Sequence, residues 1–371
     1  MQFLPTNTRL QDDDTSKTTS QIKMDVNTPF TDILAKQEKL PNIKSPKYVV
    51  VIGMGGSILG TKAIYNALYG YFDELQPERY PKAIFVDTTE KALIDILVEF
   101  LKSRKEPEEV IINVISKSGT TLETITNLET ILDKLPKLKS QLIITTTEGS
   151  PLWERAEKED INKIAMPKEI SGRYSVFTSV GLLPLTLLGI NVDNLLKGAN
   201  LVKDKTEDVA QSAATTYLNY TKGNDILDTF FFNPELKSLG EWYEQLIAES
   251  LGKEGKGITP ITSIGPQDLH SEIQLDLGGP KDKQFTFTYS KEKQGDVNEA
   301  VRMATEKAFE NKEIPFSEVI LNKINEEELG YYMQFKMLET VYLAQLMDVN
   351  PYDQPNVEEY KIETKKILDT K

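Results

Sequence analysis

The chain has 371 residues and a formal charge of −14, and 39% of its residues are hydrophobic while 27% are charged. This length predicts two α/β lobes with buried cores, and the negative charge argues against nucleic acid or an anionic membrane as a partner. The chain has no cysteine and one histidine, His270, which excludes disulfides, thiolate metal sites and zinc sites built from several histidines. We therefore expect chemistry that needs no metal and no other cofactor.

Residues 1–40 are polar, and we expect them to contribute little to a core. The first 14 residues lack the basic segment and apolar stretch of a secretory signal, which favours a cytoplasmic location. The longest apolar stretch, residues 180–190, is too short to span a membrane and predicts a buried helix.

Short apolar runs alternate with amphipathic stretches from residue 48 onward, which is typical of a doubly wound parallel sheet. Each run is apolar on both faces, as expected of a strand that helices cover on both sides. The runs predict five strands, at 48–52, 83–87, 110–116, 141–146 and 162–166. They define a first lobe over residues 41–195.

The alternation restarts after a helix predicted over 206–220, and it defines a second lobe over residues 196–350. Its predicted strands are 226–232, 258–264, 285–289 and 316–321. A long helix is predicted from Asn325, whose side chain can cap it while Glu328 reaches back, to about Met347. Pro351 prevents its continuation, and a short helical tail is predicted over 351–371.

A glycine-rich loop, Gly-Met-Gly-Gly-Ser-Ile-Leu-Gly at 53–60, joins the first predicted strand to a helix. Such a loop presents backbone N–H groups and a helix N-terminus to an anion, and Ser57 adds a hydroxyl. Ile58 stands where a dinucleotide-binding fingerprint has its third glycine, so a nicotinamide enzyme is disfavoured. Thr61-Lys62 reverses the order of a nucleotide P-loop, which leaves a kinase as a minority interpretation.

A second loop, Ser-Lys-Ser-Gly-Thr-Thr at 116–121, follows the strand 110–116 and precedes another predicted helix. Four hydroxyls around one glycine suit a phosphate group, but Ser and Thr also cap helices for purely structural reasons. For either loop alone the two interpretations are about even, whereas the pair favours binding.

Together the two loops resemble those of the sugar isomerase (SIS) domain, which hold the phosphate of a sugar phosphate. The resemblance implies two flavodoxin-like SIS lobes with the ligand between them. The matching positions are the close backbone approach at Gly56 and the side chains of Ser57, Ser116, Lys117, Ser118 and Thr121. Because this superfamily also includes proteins that only sense such sugars, the loops imply a ligand rather than a reaction.

Four further segments, at 171–181, 249–253, 265–274 and 350–361, resemble the glucose-6-phosphate isomerase family and occur in its order. The resemblance implies interconversion of glucose 6-phosphate and fructose 6-phosphate through a cis-enediol(ate), in glycolysis and gluconeogenesis. Glu249 then matches the base, Arg173 the group that stabilises the enediolate, and His270 with Lys361 the ring-opening pair. Gln245 and Gln354 match residues that bind sugar hydroxyls and phosphate. The resemblance further implies a homodimer in which His270 is lent to the neighbouring site.

A carboxylate is basic enough for this role only when burial raises its pKa, so we expect Glu249 in a closed pocket. Taken singly, Glu249 and Lys361 would be solvated surface residues and His270 a structural imidazole; only the motifs around them favour catalysis. Two rival functions stay open. One is an isomerase that also accepts mannose 6-phosphate, and the other is a sensing module that binds a sugar phosphate without turnover.

Overall fold

The structure is a computed structural model that describes residues 1–6, 12–24, 28, 30, 46–292 and 295–370. The predicted boundary at residue 40 lies outside these residues. The strands of the described residues, β1 to β10 in chain order, are Gln2–Thr6, Tyr48–Ile52, Lys82–Val86, Val110–Ser116, Leu142–Thr146, Asn162–Ala165, Ile226–Phe231, Thr259–Ile264, Lys283–Ser290 and Phe316–Leu321. The nine strands predicted from apolar runs are thereby confirmed, each to within two residues at either end.

Helices cover the sheets and connect successive strands. Those of the described residues, α1 to α13 in chain order, are Asp12–Thr19, Leu59–Tyr65, Lys91–Lys102, Leu122–Lys134, Pro151–Lys158, Ser179–Leu187, Val192–Leu201, Thr206–Thr221, Lys237–Leu251, Ile273–Gly278, Asp296–Asn311, Glu326–Met347 and Glu358–Asp369. In this part of the chain, none of the helices has the length and apolar character needed to cross a membrane.

The first sheet has the strand order β3-β2-β4-β5-β6, and every pair in it is parallel. Alternate residues of β2 enter two different cores, with Val49 and Val51 on one face and Val50 and Ile52 on the other. The prediction of a doubly wound parallel sheet is confirmed for this lobe. In such an order the chain turns in opposite directions from β2 and β4, which opens a ligand crevice at their carboxyl ends.

The second sheet has the order β1-β10-β9-β7-β8, in which β7 to β10 are parallel and β1 is antiparallel to β10. The prediction of a parallel sheet is confirmed for β7 to β10, and β1 adds an antiparallel edge strand that the sequence did not predict. An N-terminal strand pairs with the otherwise open edge of β10 and so satisfies its backbone groups. The sequence of β1, Gln-Phe-Leu-Pro-Thr, has only two adjacent large apolar residues followed by a proline, which argues against a strand in its pattern.

The N-terminal region also contributes to the core, which corrects the expectation for the described part of residues 1–40. Ile22 is 6% exposed and Phe30 is 2% exposed. The ring of Phe30 stacks on that of Tyr174 with 4.9 Å between centroids. A mostly polar segment can thus place single apolar side chains in the core. The average composition of 40 residues does not indicate such isolated side chains.

The long helix α12 is buried on nearly all sides and packs against α7, α8 and α9. It begins as predicted, because Asn325 Oδ1 accepts a hydrogen bond from Glu328 N at 3.0 Å. The predicted return bond from the Glu328 side chain is wrong. That carboxylate accepts instead from Asn322 N at 3.1 Å and from the amino group of Met1 at 2.8 Å. The Glu328 carboxylate therefore binds the distant amino group of Met1 and not the backbone of Asn325 that it would cap.

One hydrophobic cluster extends from β2 to α12 and covers one face of each sheet. The outer face of the first sheet has its own aliphatic cluster, and the outer face of the second sheet has a phenylalanine-rich one. Because the central cluster includes residues on both sides of position 195, the division there stays a prediction. The shared core sets the carboxyl end of the first sheet against α9 of the second lobe.

Candidate active site

The glycine-rich loop after β2 lies against the segment that carries Arg173. A Cβ built on Gly56 would lie 2.1 Å from the carbonyl carbon of Gly172, a distance that no side chain can tolerate. Gly55 has φ 51°, and a Cβ on it would lie 2.7 Å from Gln245 Nε2 of α9. Ser57 ends the short turn of this loop. The loop therefore needs glycine at 56, because its backbone packs directly against that of Gly172.

The second loop follows β4, at the other side of the crevice. Ser116 Oγ and Thr121 Oγ1 lie 2.8 Å apart, and Gly119 N donates to Ser116 Oγ at 3.1 Å. Ser118 is exposed, and its Oγ accepts from Thr120 N at 3.2 Å. Thr121 precedes α4 but its side chain makes no capping hydrogen bond to that helix. The Thr121 side chain is therefore bonded to Ser116 and does not cap α4.

Lys117 connects this second loop with the segment before Arg173. Its Nζ donates to the carbonyl of Ile170 at 2.8 Å. Burial lowers the pKa of Lys117, and the nearby positive charge of Arg173 lowers it further, while Glu169 raises it. Both loops thus converge on residues 170–173, at the point where the order of the first sheet predicts a crevice.

Arg173 is 1% exposed, and its guanidinium makes five hydrogen bonds. Nε donates to Ser250 Oγ at 2.9 Å. Nη1 donates to Glu249 Oε2 at 3.1 Å and to Gln354 Oε1. Nη2 donates to the carbonyls of residues 351 and 353 at 2.7 and 2.9 Å. A guanidinium has five N–H donors, so every donor of Arg173 is used within the chain.

Glu249 lies in the last turn of α9, with one carboxylate oxygen held by Arg173 and the other accepting from Gln245 Nε2 at 2.8 Å. Its side chain is 27% exposed, so the prediction of a closed pocket is wrong for the single chain. Ala248 is exposed as well. The helical period explains this, because the apolar neighbours on the opposite face enter the core: Leu246, Ile247 and Leu251.

Three buried polar atoms in this region have no hydrogen-bond partner among the residues that the structure describes. They are Gln245 Oε1, Ser171 Oγ and Tyr352 Oη. Buried polar groups are nearly always paired, so unpaired ones at a crevice represent hydrogen-bonding capacity that a polar ligand can use. Gln245 therefore has one side-chain atom bound to Glu249 and another left for a ligand.

His270 and Lys361 do not join this cluster. His270 is exposed in the short turn Gln267–His270 after β8, and within the described residues it makes no hydrogen bond or ion pair with Glu249 or Arg173. Lys361 lies on α13, which is exposed along its length, and its Nζ pairs with Glu358 at 2.8 Å. The structure brings together four predicted side chains and the glycine loop, and it leaves the predicted ring-opening pair outside.

Two residues that contact the site, Ser250 and Lys253, were not predicted from the sequence to have a role in it. Ser250 is fully buried and bonds both to Arg173 and, at 2.9 Å, to Tyr174 Oη. Lys253 is 6% exposed and binds the loop that carries Gln354. Both residues belong to the Glu-Ser-Leu-Gly-Lys segment at 249–253. The resemblance of that segment to the family was the feature of the sequence that could have indicated them. Over the described ranges, no three Asp, Glu or His side chains are arranged to hold a metal ion.

Comparison with known proteins gives consistent results. Residues 13–260 match the family model of phosphoglucose isomerase. The glucose-6-phosphate isomerase of Methanocaldococcus jannaschii is 35% identical over 362 residues, which cover 90% of this chain and 87% of that protein. Two crystal structures are similar across nearly the whole chain. A hypothetical protein of Thermus thermophilus gives a TM-score of 0.78 at 26% identity, covering 97% of this chain and 92% of the other. A glucose-6-phosphate isomerase of Chlamydia trachomatis gives 0.75 at 18% identity, covering 96% and 73%.

The two α/β lobes, with glycine-containing loops at the switch point of the first sheet, have the fold of the sugar isomerase (SIS) class. This confirms the fold expected from the two loops. Within that class, the length of the family match and the identity to the archaeal relative decide the family. The chain belongs to the phosphoglucose isomerase family.

Proposed function

We propose that this protein interconverts glucose 6-phosphate and fructose 6-phosphate through a cis-enediol(ate), as an enzyme of glycolysis and gluconeogenesis. The observation that supports this most is the Glu249 carboxylate, held between Arg173 and Gln245 beside the glycine loop. A carboxylate fixed next to a cation at a phosphate-binding crevice is what proton transfer next to a carbonyl requires.

The phosphate group binds at the carboxyl ends of β2 and β4. The backbone of Gly56 and the hydroxyl of Ser57 approach it from one loop, and the side chains of Ser116, Lys117, Ser118 and Thr121 from the other. Helix N-termini and hydroxyls can hold a dianion in a protein whose net charge is negative, since the field at the loop is local. Gln354 and Gln245 supply further hydrogen bonds to phosphate and sugar hydroxyls.

Glu249 removes the proton from C2 of the open-chain aldose and returns it to C1 of the enediolate, so the base is regenerated in each turnover. The electron pair of the broken C–H bond forms the C1–C2 double bond, and the electrons of the C1 carbonyl move to O1, which becomes negatively charged. The proton of the C2 hydroxyl passes to O1, so that protonation at C1 leaves a hydroxyl on C1 and a carbonyl at C2. Arg173 stabilises that charge across the crevice as a fixed cation. Since its donors are all used, one of its five hydrogen bonds must exchange if Arg173 is to contact the substrate directly.

His270 and Lys361 open the sugar ring before proton transfer. The exposed position of His270 supports its presentation to the site of a second subunit, in a homodimer. Lys361 reaches its site when the exposed helix α13 packs against the assembled molecule. We expect the enzyme to act in the cytoplasm and without a metal.

The direct test is an assay in which EDTA-treated protein receives fructose 6-phosphate and glucose 6-phosphate formation is followed with a coupled dehydrogenase. Turnover supports the proposal, and mannose 6-phosphate among the products would identify the broader isomerase. Saturable binding of fructose 6-phosphate without any turnover would favour the sensing module and contradict the proposal.

A further inference from the structure

Lys253, two residues beyond the end of α9, has a buried ammonium group with three acceptors. Its Nζ donates to the carbonyl of Asn350 and, at 2.7 Å, to that of Asp353. It also donates to Asp353 Oδ1 at 2.6 Å. A lysine ammonium has three N–H donors, and all three donors of Lys253 form hydrogen bonds with residues 350–353.

The same short segment, residues 350–354, receives three of the five donors of Arg173. These donors go to the carbonyls of Pro351 and Asp353 and to the side chain of Gln354. The carbonyl of Asp353 is shared, since it accepts from Lys253 and from Arg173 at 2.9 Å. Two buried cations therefore hold one segment from both sides, and one of them also holds Glu249.

We propose that Lys253 is a positioning residue for the isomerisation: it fixes residues 350–354 so that Arg173 and Gln354 keep their places beside Glu249. This inference rests on the proposed isomerase function. Without the ammonium, carbonyl groups that face the interior lose a partner, and leaving such groups unpaired costs more than the bond itself is worth. The segment then moves outward, and the guanidinium of Arg173 loses the acceptors that fix its plane.

Lys256 provides a matched comparison at the same turn. Its Nζ also donates to two backbone carbonyls, those of Met347 at 2.9 Å and Asp348 at 3.2 Å. These carbonyls belong to the end of α12 and not to the segment that contacts Arg173. Lys256 therefore serves as a control for Lys253: it lies three residues away and also binds backbone carbonyls, but these do not contact Arg173.

The experiment measures kcat and KM for fructose 6-phosphate in Lys253→Met and Lys256→Met, since methionine keeps the apolar stem and removes the ammonium. We expect Lys253→Met to lose at least about tenfold in kcat, with a smaller change in KM, and Lys256→Met to keep kcat. Hydrogen exchange in residues 350–354 should accelerate in Lys253→Met and stay unchanged in Lys256→Met.

A chemical rescue separates the ammonium from the volume of the side chain. Because the chain has no cysteine, Lys253→Cys carries the only thiol. Alkylating the unfolded variant with 2-bromoethylamine, followed by refolding, restores an ammonium at lysine length, whereas 1-bromopropane gives a neutral side chain of similar size. We expect kcat to recover with the aminoethyl group and not with the propyl group.

Full kcat in Lys253→Met, unchanged exchange in residues 350–354, or equal recovery with both alkyl groups would each overturn the inference. Failure of the proposed function gives a different pattern, because the wild-type protein would then show no turnover. In that case faster hydrogen exchange in Lys253→Met would still show that Lys253 holds residues 350–354 in place, although no isomerisation would depend on it.

Discussion

Arg173 has no free donor, although the family resemblance assigns it the stabilisation of an enediolate. Its five hydrogen bonds go to Ser250, Glu249, Gln354 and two backbone carbonyls. A guanidinium is well suited to this, because its planar fork meets several acceptors at once and it stays charged when buried. Arg173 therefore supplies a positive charge and also fixes the positions of the residues to which it donates. Its contribution to catalysis is inseparable from the positions of its neighbours.

Gly56 allows a direct test of the contact between the glycine loop and the Arg173 segment. In Gly56→Ala the new methyl group would lie 2.1 Å from Gly172 C, so the loop must shift and both phosphate binding and stability should fall. In Gly172→Ala the nearest atom, Gly56 Cα, would lie 3.4 Å away, which is an ordinary contact. Fructose 6-phosphate affinity and melting temperature of both variants check this.

The matched pair makes the outcome specific, since both variants add one methyl group at the same interface. We expect Gly56→Ala to be impaired in affinity by at least about tenfold and Gly172→Ala to stay close to wild type. Equal behaviour of the two variants would show that the backbone approach does not shape the phosphate site.

At the scale of elements, strand β7 carries a carboxyl group that the reaction does not use. Asp228 is fully buried in the second sheet, where Oδ2 accepts from Ser263 Oγ at 2.8 Å and Oδ1 has no partner within the described residues. Burial raises the pKa of Asp228 from 3.8 to about 8, and the nearby carboxylates of Asp276, Glu272 and Asp268 act in the same direction. The side chain is therefore protonated in the folded protein at neutral pH.

This shift predicts how stability depends on pH. Between about pH 4 and pH 8 Asp228 holds a proton in the folded protein that it has released in the unfolded chain, so its contribution to the free energy of unfolding falls as the pH rises through this window. Asp228→Asn removes that titration. The stability advantage of the variant over wild type should grow from pH 4 to pH 8 and then level off, reaching a few kcal/mol at about 1.4 kcal/mol per pKa unit.

Urea unfolding of both proteins at pH 5, 7 and 9 measures this difference. Asp276, whose pKa burial raises to about 6, titrates in both proteins and so largely cancels from the comparison. A difference that is constant across the three pH values would mean that Asp228 is not protonated in the folded state.

Sequence patterns predicted most elements because their causes are local. The strands β2, β4 and β10 begin and end where the predicted runs do, since burial on both faces makes most of their residues apolar. The pairing of β1 with β10 and the ion pair of Glu328 with the amino group of Met1 each join residues more than 300 positions apart. No local pattern carries that information. The convergence of Arg173, Glu249 and Gln354 is likewise non-local, and only the family motifs indicated it.

At the scale of the whole molecule, the single chain forms only part of the site that the family resemblance implies. Glu249, Arg173, Gln245 and Gln354 are in contact, while His270 is exposed on a different part of the second lobe. The partly open position of Glu249 is consistent with a site that a second copy closes. Burial by that copy would also supply the desolvation that a carboxylate base needs.

Mixing two inactive variants tests whether subunits share their sites. His270→Ala and Glu249→Gln should each be inactive alone, whereas a mixed dimer combines an intact Glu249 from one subunit with an intact His270 from the other. Random exchange makes about half of the dimers mixed, with one of two sites complete, so about a quarter of wild-type activity should return. The measurement is turnover after joint unfolding and refolding of an equimolar mixture. No recovery, or a monomer in sedimentation, would exclude the lent histidine.

The central claim is that Glu249 is the base of an isomerase, and the measurement that tests it most directly is the turnover of fructose 6-phosphate by Glu249→Gln. Glutamine keeps the size of the side chain and an oxygen that can accept from Arg173 or Gln245, but it cannot take up the proton. The account predicts that kcat falls at least about a hundredfold while fructose 6-phosphate still binds. A variant with wild-type kcat would contradict it.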